Sequence, residues 1–238
     1  MKALEKKQFP LPPFAYYPPE AWGNLEKSEE EIVENMLGWD ITDFGRGDFH
    51  NVGLTIFTFR NGNFYEKTKY PKPYAEKMLY VMDGQVLPFH YHWYKCEDII
   101  NRGGGNLEIT LYNSTRNDFD HRDAAEKGEK GNFANSPVFV SIDAKKTEVE
   151  PGGTVILRPG QSISLMPGQY HQWKGIPGTG DIILFEVSAT NDDTIDNRFY
   201  SAGNRIPEIE EDEPAQHLIF ADYPAYTGFH FLDGRVKK

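Results

Sequence analysis

Histidines 90 and 92 stand one residue apart in "PFHYHWYKCEDIINRGGG", residues 88–105. Alternate side chains of a β-strand share a face, so the two imidazoles point the same way and can hold one ion. Glu97 follows His92 at an odd offset, which requires a turn or bulge between them. The pair alone is equally compatible with a strand that carries histidine on its surface or in its core. Glu186 poses a second question. In "DIILFEVSA", residues 181–189, it alternates with Ile182, Leu184 and Ser188. A carboxylate on so apolar a face is costly unless it has a partner or a task. Apolar surroundings would also raise its pKa, as a base working at neutral pH requires. The alternative is an outward face and a salt bridge.

Spacing around the histidines adds information. Gly84 precedes His90 with five residues between, Glu97 follows His92 with four between, and Gly103 to Gly105 close the segment. Later, "GQSISLMPGQYHQWKG" offers Gly160, Pro167-Gly168 and His171. This pair of motifs resembles that of the cupin superfamily. The resemblance implies a jelly-roll barrel holding one divalent metal, with His90, His92, Glu97 and His171 as ligands. Three imidazoles and a carboxylate suit a borderline ion, manganese first, with cobalt, iron, nickel or zinc as alternatives.

A cupin fold does not fix a function. The longer strings "HYHWYKCEDIINRGGG" and "FEVSATNDDTIDNRFY" resemble the D-lyxose isomerase family of cupins. That resemblance implies aldose–ketose isomerisation of D-lyxose and D-xylulose, and of D-mannose and D-fructose. Such a reaction removes a weakly acidic proton from carbon 2, so it needs a base and a cation near the oxyanion. Glu186 is the candidate base. Arg198, Asp193 and Lys95 are candidates for binding the sugar, with a structural salt bridge as the alternative for Arg198 and Asp193. Position 88 should face inward two residues before His90, but Pro88 cannot titrate. Lys95 and Glu97 are the substitutes for a second acid–base group.

Three other readings share these residues. A phosphosugar isomerase would need a phosphate cradle, which Arg102 and Gly103 to Gly105 could form. An iron-dependent dioxygenase could use the same ligands. A non-catalytic sugar-binding cupin would keep the barrel without the chemistry. Cys96 reads as a packing residue, and His50, His121, His217 and His230 as structural or exposed.

The elements that must position these residues are mostly strands. From residue 53, short β-branched or aromatic runs alternate with Gly, Pro, Asn and Asp turns: residues 53–64, 76–94, 106–114, 137–143, 154–160, 162–168 and 181–189. The expected class is all-β, a barrel over residues 53–200. Residues 1–52 form an N-terminal arm and helix packed on it, and 201–238 a C-terminal extension, all in one structural domain. The arm, "FPLPPFAYYPPEAW", is too rich in proline for regular helix. Residues 27–40 read as a helix capped by Ser28 with Glu31, with Ile32, Val33, Met36 and Leu37 on one face and Gly38 as its stop. Residues 114–136 form a polar excursion, and 208–214 an acidic connector.

Composition narrows the function. The 238 residues carry 36 acidic against 25 basic side chains, a net charge of −11, which disfavours nucleic acid. No apolar run reaches the roughly 18 residues of a membrane span, and the first residues lack the apolar core of a secretory signal. Cys96 is the single cysteine, so no internal disulfide is expected. The expectation is a soluble cytoplasmic protein, free of membrane or nucleic-acid partners, with a small sugar as substrate. The aromatic arm suggests a homodimer.

Overall fold

The computed structural model describes residues 4, 8–209 and 213–232; parts of the arm, the acidic connector and the C-terminal extension lie outside these. Fourteen strands occur among them: β1 Gly38–Thr42, β2 Leu54–Arg60, β3 Tyr74–Val81, β4 Val86–Tyr91, β5 Glu97–Gly104, β6 Leu107–Ser114 and β7 Phe133–Ala134. The rest are β8 Val138–Ile142, β9 Lys145–Val149, β10 Thr154–Leu157, β11 Ser162–Leu165, β12 Gln169–Gly175, β13 Ile182–Ala189 and β14 Arg198–Phe199. Eight form one antiparallel sheet in the order β1-β2-β3-β13-β5-β11-β8-β9. Five form the other, β10-β6-β12-β4-β14, with β7 attached to β6.

The sheets face each other across one apolar interior. Leu79, Leu184 and Ile99 from the first pack with Leu107, Ile109, Leu111 and Trp173 from the second. Burying each such side chain contributes about 1.5–3 kcal/mol. This is the expected all-β cupin jelly roll, with a few short helices.

The arm covers the outside of the larger sheet. Leu4, Leu11 and Ala15 are buried against Phe57, Met78 and Ile183. Phe14 stacks on Phe57 at 5.4 Å, and Trp39 Nε1 donates to the Ala15 carbonyl at 2.9 Å.

The helix expected over 27–40 is a single α-turn, Glu30–Glu34, after a 3-10 turn at Lys27–Glu29. Glu26 and Glu29 form its capping box in place of Ser28 and Glu31. Met36, at φ +53°, ends the helix in the left-handed conformation, so Gly38 is released to begin β1. A Cβ on Gly38 would meet Tyr223 Oη at 2.2 Å, so close approach there requires glycine. Residues 38–42, placed before the barrel by the sequence, are therefore an edge strand paired with β2.

The polar excursion holds two short helices, Arg116–Asp120 and Arg122–Glu126. Its Phe119 and Phe133 pack on Tyr91 and Tyr170 over the outer face of the smaller sheet. Among the described residues no helix is long and apolar enough to cross a membrane.

Candidate active site

His90 on β4 stands directly opposite His171 on β12 in antiparallel register. The chain leaves β4 after Tyr91, and His92 begins the loop to β5. His90, His92 and His171 are all buried, and their candidate ligand atoms lie within 4.8 Å of one another. Each Nδ1 faces a main-chain carbonyl: Pro88 at 3.0 Å, Asp196 at 2.8 Å and Gln169 at 3.0 Å respectively. A carbonyl only accepts, so each Nδ1 carries a proton and each Nε2 is the atom turned toward the others. Burial holds His90 well below its usual pKa and brings His92 down to about 3, so both are neutral imidazoles near pH 7.

Glu97 is the first residue of β5, in the other sheet. It reaches two of the three histidines, with Oε1 3.1 Å from His171 Nε2 and Oε2 3.4 Å from His92 Nε2. Burial opposes its ionisation, but Lys95 foremost holds the carboxyl well below its usual range. The contact with His92 therefore places acceptor against acceptor. His171 Nε2 and Glu97 Oε1 are buried without a hydrogen-bond partner among the described residues. A cation between them satisfies both, and a donor set of three imidazoles and one carboxylate fits a divalent metal.

The loop of residues 92–96 supplies the turn that the odd offset required. Asp196 holds it from below, its carboxylate accepting from the main-chain N–H of Tyr94 at 2.8 Å and of Lys95 at 3.1 Å. Lys95 Nζ lies 2.5 Å from Glu186 Oε1 and 3.1 Å from Glu97 Oε2. Burial favours loss of its proton, but Glu186 and Glu97 outweigh this and hold its pKa above the usual lysine value. Glu186 does face inward, on β13. Its surroundings are not the apolar ones the alternation suggested, because the ammonium fills the space beside it.

Next to this pair lies a second charged group. Lys77 on β3 is the register partner of Glu186, and its Nζ is 3.1 Å from Asp193 Oδ2. Arg205 Nη2 bridges Asp193 at 2.8 Å and Asp40 at 2.6 Å. Burial opposes ionisation of Asp193, but Arg205, Lys77 and Lys95 keep it well below its usual pKa. His90, Lys95, Glu186, Lys77, Asp193 and Arg205 line one cavity. Its free volume is about 30 Å³, room for one or two waters. Beyond it, Asp193, Asn197, Phe199 and Arg205 also border an outer cavity of about 420 Å³. These four residues are the shared wall.

Arg198 is not in this cavity. It pairs with Tyr91 while its neighbour Phe199 pairs with His90, so its side chain takes the opposite face of β14. There its Nη2 lies 2.7 Å from Asp118 Oδ1, and Nη1 donates to the Glu129 carbonyl at 2.8 Å. The expected sugar contact at Arg198 is replaced by the structural ion pair. Pro88 does not line the cavity either. A bulge in the β4–β12 ladder puts Leu87 opposite Trp173, and Leu87 takes the inward place. Arg102 is exposed, and Gly103 and Gly104 end β5 at the far end from Glu97, roughly 20 Å along an extended strand. A phosphate cradle there would not serve this cavity. Cys96 is exposed rather than packed. His50, His121 and His230 are exposed, and His217 is half-buried.

Lys77, Arg205, Asp40 and Asp196 were not anticipated. Lys77 had a signal, since it alternates with Ala75, Leu79 and Val81 on an apolar strand face as Glu186 does. Asp196 and Arg205 lie in loops, where periodicity carries no signal, and Asp40 sits in the middle of β1, in the stretch that read as helix.

The family described as D-lyxose isomerase has a sequence model that matches residues 1–223. A D-lyxose/D-mannose isomerase of Serratia proteamaculans is 44% identical over 214 residues, 90% of this chain and 88% of that protein. The protein of that name from Escherichia coli O157:H7 matches at the same identity and coverage. Among solved structures, L-ribose isomerase of Cellulomonas parahominis with L-ribose aligns at a TM-score of 0.50 and 12% identity. That alignment covers 86% of this chain and 89% of the other, and it concerns the fold.

Proposed function

The chain belongs to the D-lyxose isomerase family, and on that premise we propose that it interconverts D-lyxose with D-xylulose and D-mannose with D-fructose, using one divalent metal, manganese first. The observation that carries this reading is the Lys95–Glu186 pair, 2.5 Å apart, beside three buried histidines. When bound by His90, His92, His171 and Glu97, a divalent ion supplies Lewis acidity toward the sugar's carbonyl and adjacent hydroxyl oxygens. Glu186 removes the proton from carbon 2 and returns it to carbon 1 through an enediolate, while the hydroxyl proton of oxygen 2 passes to oxygen 1. Lys95 donates a hydrogen bond to the oxygen that gains charge, and keeps its own proton because two carboxylates hold it.

The cations near the catalytic pair favour a free sugar over a phosphosugar. Lys77 and Arg205 are already matched by Asp193 and Asp40, so no positive charge is spare for a phosphate. The test is a panel of aldoses offered to chelator-stripped enzyme, with each divalent ion restored in turn. Ketose formed from D-lyxose and D-mannose only after metal is returned is the expected result. Oxygen uptake without ketose, or preference for D-fructose 6-phosphate over D-fructose, would overturn the reading. Product formed in deuterium oxide should carry label at carbon 1.

A further inference from the structure

Among the described residues bordering both cavities, Arg205 has a donor left over. Its side chain is nine-tenths buried, and Nη2 is taken by Asp40 and Asp193. Nη1 is buried with no hydrogen-bond partner among the described residues. An unsatisfied buried guanidinium nitrogen is costly, because desolvation of a charged group is not repaid. Arg205 also stands in the wall between the small inner cavity and the larger outer one. The inner space holds only a water or two, so a pentose entering it must extend through that wall.

We propose that Arg205 reads the far end of the open-chain sugar, with Nη1 donating to the hydroxyl on carbon 5 of a pentose. The inference rests on the isomerase reading and deepens it by naming the group that senses chain length. With carbons 1 and 2 held between the histidines and the Lys95–Glu186 pair, the tail runs toward Lys77, Asp193 and Arg205. The two carboxylates fix the guanidinium plane, so Nη1 is oriented before the sugar arrives and little rotamer entropy is lost on binding. The pairing also cancels the charge of Arg205, which suits a neutral hydroxyl and not an anion.

The experiment compares D-lyxose with the four-carbon aldose of the same configuration at carbons 2 and 3, which lacks the carbon-5 hydroxyl. Arg205→Lys keeps the charge between Asp40 and Asp193 but removes Nη1, and Arg205→Met removes both. With Arg205→Lys, kcat/KM for D-lyxose should fall about tenfold, mainly through KM, the effect of losing one hydrogen bond to a charged donor. The tetrose should change by less than about twofold, because it never made that contact. Equal losses on both sugars, or a wild-type enzyme that does not prefer the pentose, would overturn the role of Arg205. If Arg205→Met does not fold, Arg205→Lys alone decides. A wild-type enzyme that forms no ketose from any aldose would instead overturn the isomerase reading.

Discussion

Lys95 Nζ sits 2.5 Å from Glu186 Oε1 although the two residues are 91 positions apart and arise from different parts of the barrel. Lys95 comes from the loop after β4, and Glu186 from the middle of β13. The contact makes each the other's nearest charge in a site almost closed to solvent. It also makes their separate removal informative.

Glu186→Gln keeps the shape and loses the base. Turnover of D-lyxose should fall by about 10²–10⁴-fold, the usual range for a general base. Metal content, measured by atomic emission on the same sample, should stay at the wild-type level. Loss of metal together with activity would instead assign Glu186 to the ligand set.

Lys95→Met leaves two buried carboxylates, Glu97 and Glu186, without the cation between them. Breaking one side of a buried ion pair costs about 3–5 kcal/mol. The urea midpoint of the metal-free protein should therefore drop clearly, and turnover should fall as well. Unchanged stability would mean that Glu186 or Glu97 takes up a proton in the variant, which a rise in the stability of that variant at lower pH would reveal.

Asp118→Ala tests the structural assignment of Arg198. The Arg198–Asp118 pair is buried on the outer face of the smaller sheet, with the Tyr170 hydroxyl also donating to Asp118 at 2.6 Å. Its loss should cost about 3–5 kcal/mol in chemical denaturation. The KM for D-lyxose of the folded fraction should not change. A large rise in KM would return Arg198 to the sugar.

Asp193 sets a pH dependence. Its folded pKa lies below the ordinary 3.8, because Arg205, Lys77 and Lys95 outweigh the burial penalty. A carboxyl with a depressed folded pKa adds stability above its unfolded value, and that stability is lost as pH falls through the folded value. Each unit of depression is worth about 1.4 kcal/mol. Wild type should thus exceed Asp193→Asn in stability above pH 4, and the two curves should converge below it. Parallel curves across that range would show that Asp193 contributes nothing through its charge.

Local spacing made part of this site legible in the sequence. Strand alternation put His90 and His92 on one face, and the resemblance to the cupin motifs implied Glu97 and His171 as their companions. Lys95 was visible as a candidate, but its position depends on Asp196, about one hundred residues later in the chain, capping the loop. No local pattern encodes that partner. Arg205 meets Asp40 across 165 positions; Arg205 lies in a loop, and Asp40 in the middle of an edge strand whose start read as helix. The bulge that moves Leu87 inward could not be read from alternation, because alternation is what a bulge interrupts. β5 and β12 were taken as motif rather than strand, since glycine, asparagine and glutamine dilute their apolar pattern. The helix at residue 30 was over-extended because its apolar face continues into β1, and only the left-handed Met36 separates the two.

The division of the site between two sheets has a further consequence. The histidines belong to the smaller sheet and its loop, whereas Glu97, Lys77 and Glu186 belong to the larger. The gap between these two groups is spanned by the apolar filling of Ile99, Ile109 and Leu184 rather than by any one strand. Those side chains act as shims. One methylene more or less among them, in an interior packed as tightly as a crystal, would reset the distance between the proton-handling pair and the histidines. The barrel can thus be retuned for a different sugar from positions that never touch one.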